Sequence, residues 1–281
     1  MSNKTLRDGA PKVIAIANQK GGVGKTTTAI NLGTALAAIN QKVVIIDLDP
    51  QGNASTGLGV PPAERIRTSY DVLVGDTAMI DACTATTVPG LSIIPSDVEL
   101  SGAELELADE KRRNYRLRSA VERFSRALDD RGERCDYILI DCPPSLNVLT
   151  VNSLAASDSV LVPLQCEFFA LEGLTQLMRT VGLVRDHLNA GLDIQGVVLT
   201  MYDARNNLSA EVAADVREFF GDKVYKTMIP RNVRVSEAPS MGKPVLLYDL
   251  SCAGSQAYVS LAKEVVQQER KARKEAQGEP A

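Results

Sequence analysis

The 281-residue sequence predicts an α/β fold, a doubly wound, mostly parallel sheet with helices on both faces. Short runs rich in Val, Ile and Leu alternate with segments of helical period along nearly the whole chain, the spacing of parallel strands joined by helical crossovers. Several of these runs end on a glycine-rich or acidic turn, which is where such sheets bind ligands. The composition agrees, with 44% hydrophobic residues, 4% aromatics and no tryptophan, as expected for aliphatic packing between a sheet and its helices.

The first strand is read at Val13–Ala17, and Asn18-Gln19-Lys20-Gly21-Gly22-Val23-Gly24-Lys25-Thr26-Thr27-Thr28 follows it directly. Strand, glycine turn and helix start in that order make a phosphate-binding loop. Gly21, Gly22 and Gly24 let the backbone approach an anion, and the N–H groups around Val23, with the helix N-terminus, point at it. Lys25 is placed to reach the β/γ-phosphates and the Thr26 hydroxyl to bind Mg²⁺, with Thr27 next in the cradle. The common pattern G-x-x-x-x-G-K-[ST] needs glycine where this chain has Gln19, and a second lysine, Lys20, opens the loop instead.

Ala29, Leu32, Leu36 and Ile39 then repeat at helical spacing, and Val43–Ile46 reads as a second buried strand ending on Asp47-Leu48-Asp49-Pro50. Residues 54–90 show turns and short helical pieces without a clear period. Leu91–Ile94 reads as a strand, 99–130 as one long charged helix and Tyr137–Ile140 as a strand ending at Asp141. Ser159–Val162 and Ile194–Leu199 are further strands around a helix over 171–188. A helix over 208–220, extended segments at Val224-Tyr225 and Val245–Tyr248, and a last helix over 253–273 complete the chain. The expected organisation is a flexible N-terminus (1–11), one domain (12–265) and a charged, fraying tail (266–281).

Composition excludes several classes of chemistry. Cys83, Cys135, Cys142, Cys166 and Cys252 form no C-x-x-C pair and His187 is the only histidine, so neither a zinc site nor a disulfide framework is expected. No segment has the length of a membrane span and the first residues lack an apolar leader, so a cytoplasmic protein is expected. The net charge of −4 argues against general affinity for nucleic acid. Residues 201–281, with 12 Lys+Arg against 11 Asp+Glu, are slightly basic, so DNA binding would need a local patch.

Asp141, ending an apolar strand, suits a water-mediated contact to Mg²⁺ opposite Thr26, and Asp47 is a second candidate for such a contact. Asp49 is the choice for orienting an attacking water. The alternative for Asp47 and Asp49 is that they cap the turn at Pro50-Gln51-Gly52. Hydrolysis of a phosphoanhydride depends on positioning and charge stabilisation, so no nucleophilic Ser, Cys or His is required.

Together these motifs resemble the ParA/Soj-type partitioning ATPases, deviant P-loop NTPases in a group that also includes MinD and the nitrogenase iron protein. The resemblance runs through Lys20–Thr28, Asp47–Gly57, Asp141–Ser145, Gln165–Gly173 and Ile229–Pro239. It implies an ATP- and Mg²⁺-dependent sandwich homodimer in which Lys20 crosses to the partner's nucleotide like an arginine finger. It also implies non-specific binding to double-stranded DNA, stimulation of hydrolysis by a ParB-like centromere-binding protein and association with the nucleoid. By the same resemblance Pro230, Arg231 and Asn232 lie near the adenine, while Arg205 and Arg234 belong to the DNA-binding patch, each with a surface ion pair as its alternative.

The basic run Lys111–Arg118 competes for the DNA role but reads better as a solvated helix. A MinD-like membrane switch calls for bulky apolar anchors in the last helix, and Gln267–Glu275 has none. Cys142 and Cys166 do not fit the cluster-ligand motifs of the nitrogenase iron protein. A nucleotide-gated DNA scaffold with little turnover is the remaining alternative. With so few residues before the first strand, an N-terminal sequence-specific DNA-binding domain is not expected.

Overall fold

The computed structural model describes residues 10–75, 77–167 and 170–277. Seven strands form one sheet: β1 (Lys12–Ile16), β2 (Val43–Asp47), β3 (Thr84–Ala85), β4 (Leu91–Ile94), β5 (Tyr137–Asp141), β6 (Ser159–Gln165) and β7 (Asp193–Thr200). Their order is β3-β4-β2-β5-β1-β6-β7, and every pairing is parallel except β3 with β4. The central strands are apolar throughout because both faces are covered, and successive residues point to opposite layers. Val13, Ala15, Val44, Ile46, Ile138 and Ile140 enter one buried cluster, while Ile14, Ile16, Val43, Ile45, Tyr137 and Leu139 enter the other.

Six long helices cover the faces: α1 (Lys25–Ala38), α2 (Arg116–Arg131), α3 (Val148–Ala156), α4 (Ala170–His187), α5 (Asn207–Phe220) and α6 (Ala253–Gln277). The first cluster lies under α2 to α5 and the second under α1 and α6. The connection after β1 runs to β2 on one side, whereas β6 lies on the other. That reversal opens a crevice at the carboxyl end of β1, where the phosphate loop begins.

The doubly wound sheet expected from the sequence is present, and four local readings change. The segment 99–130 is not one helix: it breaks into short turns at Val98–Gly102, Ala103–Glu106 and Arg113–Tyr115 before α2 begins. Asn152 on α3 fixes this break by donating to the Arg113 carbonyl at 2.8 Å and accepting from Leu117 N at 3.2 Å. Val245–Tyr248 is a single helical turn, whose first N–H donates to Asn31 Oδ1 at 2.8 Å, and Val224 forms only an isolated bridge to Val197.

Residues 54–90 hold elements of two to five residues, including the antiparallel β3, too short to show a period. Finally, the boundary expected at 265/266 falls inside α6, which continues to Gln277. Burial explains the continuation. Glu269 is 7% exposed, pairs with Lys12 at 3.3 Å and accepts from Gln195 at 2.8 Å. The expected flexible N-terminus lies outside the described residues up to residue 9.

Candidate nucleotide site

The loop between β1 and α1 is fixed from three sides. Asn18 donates to the Pro163 carbonyl on β6 at 2.8 Å and accepts from Lys20 N at 3.0 Å. Gln19 donates to the Thr180 hydroxyl on α4 at 3.0 Å, and the Thr200 hydroxyl at the end of β7 donates to the Val23 carbonyl at 2.8 Å. Gly22 and Gly24 have φ of +75° and +89°, in the left-handed region that side chains rarely enter. The first turn of α1 has neither a side-chain cap nor an acidic residue, so its N–H groups are left for an anion.

Two lysines frame this loop in different ways. Lys25 is 7% exposed, and its ammonium donates back to the Lys20 carbonyl at 3.0 Å. Burial lowers its pKa, and the nearby carboxylates of Asp141 and Asp49 oppose that shift in part. Lys20 stands at the rim, beside the exposed Gly21 and Gly22, and pairs with Glu167 at 2.6 Å.

The acids at the strand ends separate into distinct roles. In the sheet register Asp141 stands beside both Ile16 and Asp47, and both carboxylates are fully buried. Asp47 is consumed locally: its oxygens accept from Asp49 N at 3.2 Å and from Ser55 N and Oγ at 2.9 and 2.7 Å. Neither oxygen of Asp141 has a hydrogen bond of normal geometry, although the Thr26 hydroxyl is close enough to favour its charged form. Burial pushes Asp47 up to about 6, and burial followed by the Asp47 charge pushes Asp141 well above the ordinary carboxylate range.

A buried carboxylate without a donor, facing Thr26 and Lys25, suits a hydrated Mg²⁺ carried in on phosphates, since Mg²⁺ takes few protein ligands and keeps waters. Among the described residues no group of three or more His, Cys, Asp or Glu could hold a metal without that help. Asp49 is half-buried and accepts from Gln51 N at 3.0 Å, so one of its oxygens caps the turn. Asp47 holds the same turn, which fits its capping alternative better than a metal contact.

Four of the thiols are held away from the thiolate a nucleophile needs. Burial pushes Cys83, Cys135 and Cys142 up to about 12 and Cys166 up to about 11.

The end of β7 links the loop to the expected adenine and DNA contacts. Next to Thr200, Met201 has φ +50°, unusual for a side-chain-bearing residue. Tyr202 then pairs with the 229–231 segment, donating to Ile229 O and accepting from Arg231 N, each at 3.0 Å. Pro230 and Arg231 are thereby held alongside the end of β7, and Asn232 caps the turn Val233–Glu237 by accepting from Arg234 N at 2.9 Å.

Arg205 and Arg234 project from the two paired segments and both carry ion pairs. Arg205 meets Asp203 at 2.9 Å, while Arg234 meets Glu237 at 3.1 Å and lies 6.0 Å from the Tyr248 ring centre. The sequence reading missed Asn18, Thr180 and Thr200 as supports of the loop and Ser55 as the partner of Asp47. Of these, Thr200 had a signal, as the polar end of an apolar strand.

The AAA domain family matches residues 11–194. The chromosome partitioning protein ParA of Caulobacter vibrioides is 66% identical over 92% of this chain and 95% of its own. The sporulation initiation inhibitor protein Soj of Bacillus subtilis is 56% identical over 90% of this chain and 98% of its own. Among solved structures, cobyrinic acid a,c-diamide synthase from Mycobacterium smegmatis with bound ADP and magnesium is similar at a TM-score of 0.80 and 34% identity, covering 94% of this chain and 97% of that one. A fold shared with a synthase does not carry its reaction across. With identities of 66% and 56% over at least nine-tenths of its length, the chain belongs to the ParA/Soj family of chromosome-partitioning ATPases.

Proposed function

We propose that the chain is an ATP-gated DNA-partitioning switch. ATP with Mg²⁺ closes two copies into a sandwich, the closed dimer grips DNA without sequence preference, and hydrolysis stimulated by a ParB-like partner releases it. The contrast between the two loop lysines carries this reading. Lys25 is buried and directed into its own subunit's phosphate site, whereas Lys20 sits at an open glycine rim that a second copy can approach.

Thr26 and Asp141 would hold the metal, which supplies positive charge to the phosphates. Lys25 and the loop N–H groups hold the β- and γ-phosphates, and the free oxygen of Asp49 orients the attacking water. Pro230, Arg231 and Asn232 flank the base. The solved relative with ADP and magnesium supports this ligand set.

Arg205 and Arg234 form the DNA contact, and their acidic neighbours make it weak in a single subunit. Phosphates must compete with Asp203 and Glu237, so two arginines per subunit gain from being doubled in a dimer. Among the described residues no helix is long and apolar enough to cross a membrane, and the polar end of α6 gives a membrane anchor no support. The proposed location is the cytoplasm, on the nucleoid.

The test is binding to random duplex DNA with ATP, ADP or no nucleotide at low and moderate salt. Binding is expected only with ATP, falling with salt, and lost in Arg234→Ala. Equal binding in all nucleotide states would reject the gating. Asp49→Ala is expected to reduce turnover on the order of 10²-fold or more and to hold the protein on DNA; unchanged ATP hydrolysis would remove Asp49 from water positioning. Weak intrinsic turnover is expected in the wild type; turnover that stays low even with the ParB-like partner, with ATP-gated DNA binding intact, would favour the scaffold alternative.

A further inference from the structure

Lys20 does not wait unpartnered at the rim. Its ammonium lies 2.6 Å from Glu167 Oε2, while Gln165 donates to the other oxygen of the same carboxylate. Glu167 lies two residues past the end of β6, its N–H donating to Gln165 O and its carbonyl accepting from Ala170 N, each at 2.9 Å. The residue preceding Lys20 is bound to the same helix, through Gln19 and Thr180 at 3.0 Å. The carboxylate is therefore held beside the loop by residues of both β6 and α4.

We propose that Glu167 is a positioning residue that holds Lys20 within its own subunit, and that the phosphates of the nucleotide in a second copy must displace this carboxylate for the sandwich to close. This rests on the reading that Lys20 acts across a dimer. In the free subunit the ammonium is neutralised and directed towards α4. In the closed dimer a polyphosphate carries more negative charge than one carboxylate and takes the ammonium over. Triphosphate, with more charge than diphosphate, competes better, so Glu167 raises the threshold for closure and sharpens discrimination against ADP.

The pair is partly exposed, with the Lys20 side chain at 38% and that of Glu167 at 45%. Exposed pairs are weak, so the threshold is expected to move by roughly two- to fivefold and not to vanish.

The experiment compares wild type, Glu167→Gln, Lys20→Gln and the double variant. It measures the concentration of a non-hydrolysable ATP analogue, with Mg²⁺, that gives half-maximal dimer, together with ADP affinity at dilutions where the chain is monomeric. Glu167→Gln is expected to dimerise at roughly two- to fivefold less analogue, with ADP affinity unchanged and the difference shrinking in high salt. In the Lys20→Gln background the same change is expected to have no effect.

An unchanged midpoint in Glu167→Gln, or a shift to higher analogue, would overturn the proposal, the latter showing that the acid assists closure. A midpoint shift that persists in the Lys20→Gln background would overturn it too, by showing that Glu167 acts through another group. Should Glu167→Gln lose ADP affinity through misfolding, Glu167→Ala takes its place under the same criteria. Lys20→Gln dimerising like wild type would instead reject the cross-dimer reading itself, a result separable from any effect of Glu167.

Discussion

Asp141→Asn is expected to make the nucleotide-free protein more stable while removing its response to nucleotide and Mg²⁺. Asp141 is fully buried, has no hydrogen-bond donor of normal geometry and adjoins Asp47 in the sheet register. Its pKa is raised in spite of Lys25, so the charged form is unfavourable in the fold even with that cation beside it. A neutral isostere removes this penalty and the repulsion of Asp47, so a higher unfolding temperature than wild type is expected without nucleotide. Saturating nucleotide with Mg²⁺ should stabilise wild type by about 3 kcal/mol at a hundred times its dissociation constant and should stabilise the variant far less.

The same pair sets a pH dependence. A carboxyl with a raised folded pKa binds its proton more tightly in the fold, so its contribution is present below the unfolded value of 3.8 and is lost as pH rises through about 6, the folded value of Asp47. Thermal unfolding without nucleotide, followed between about pH 5 and about pH 8, should show wild type losing more stability than Asp141→Asn across that interval. A nucleotide-free variant less stable than wild type at neutral pH would mean that Asp141 is satisfied by a group other than the metal.

Gly21→Val is expected to leave folding and ATP binding intact and to abolish dimer-dependent turnover. A Cβ built on Gly21 meets nothing within 4 Å, and Gly21 is not among the residues with positive φ, so the subunit itself accepts a side chain there. Gly24 differs, since its φ of +89° strains any substitution. What a valine at Gly21 would obstruct is the approach of a second copy to the exposed rim. With Lys20 kept from the partner's nucleotide, turnover should fall on the order of 10³-fold, the scale of a missing arginine finger. Nucleotide binding measured in parallel distinguishes this from a damaged phosphate site. A variant that still forms the ATP dimer would show that the rim is not the interface.

Much of this site was legible because its signals are local. The apolar strand, the three glycines and Lys25-Thr26 lie in one continuous stretch, and the central strands are apolar runs because the sheet is covered on both faces. Asp141 was readable as the polar end of such a run. What the sequence could not separate was Asp141 from Asp47, since both end buried strands. The difference lies in Ser55, which donates to Asp47 while neither oxygen of Asp141 has such a bond.

The ion pair between Lys20 and Glu167 spans 147 positions and has no periodic trace. The break between Glu106 and Arg116 also escaped the sequence, because it depends on the tertiary bonds of Asn152 and not on a local helix stop. The tail looked loose for its charge, yet Glu269 is buried against Lys12 at the other end of the chain.

ATP-gated dimerisation is tested most directly by the molar mass of the wild-type chain in solution, measured by light scattering without nucleotide, with ADP and Mg²⁺, and with a non-hydrolysable ATP analogue and Mg²⁺. A mass near 30.2 kDa in the first two conditions and twice that in the third is the expected result. One mass in all three conditions, with nucleotide binding demonstrated, would contradict it.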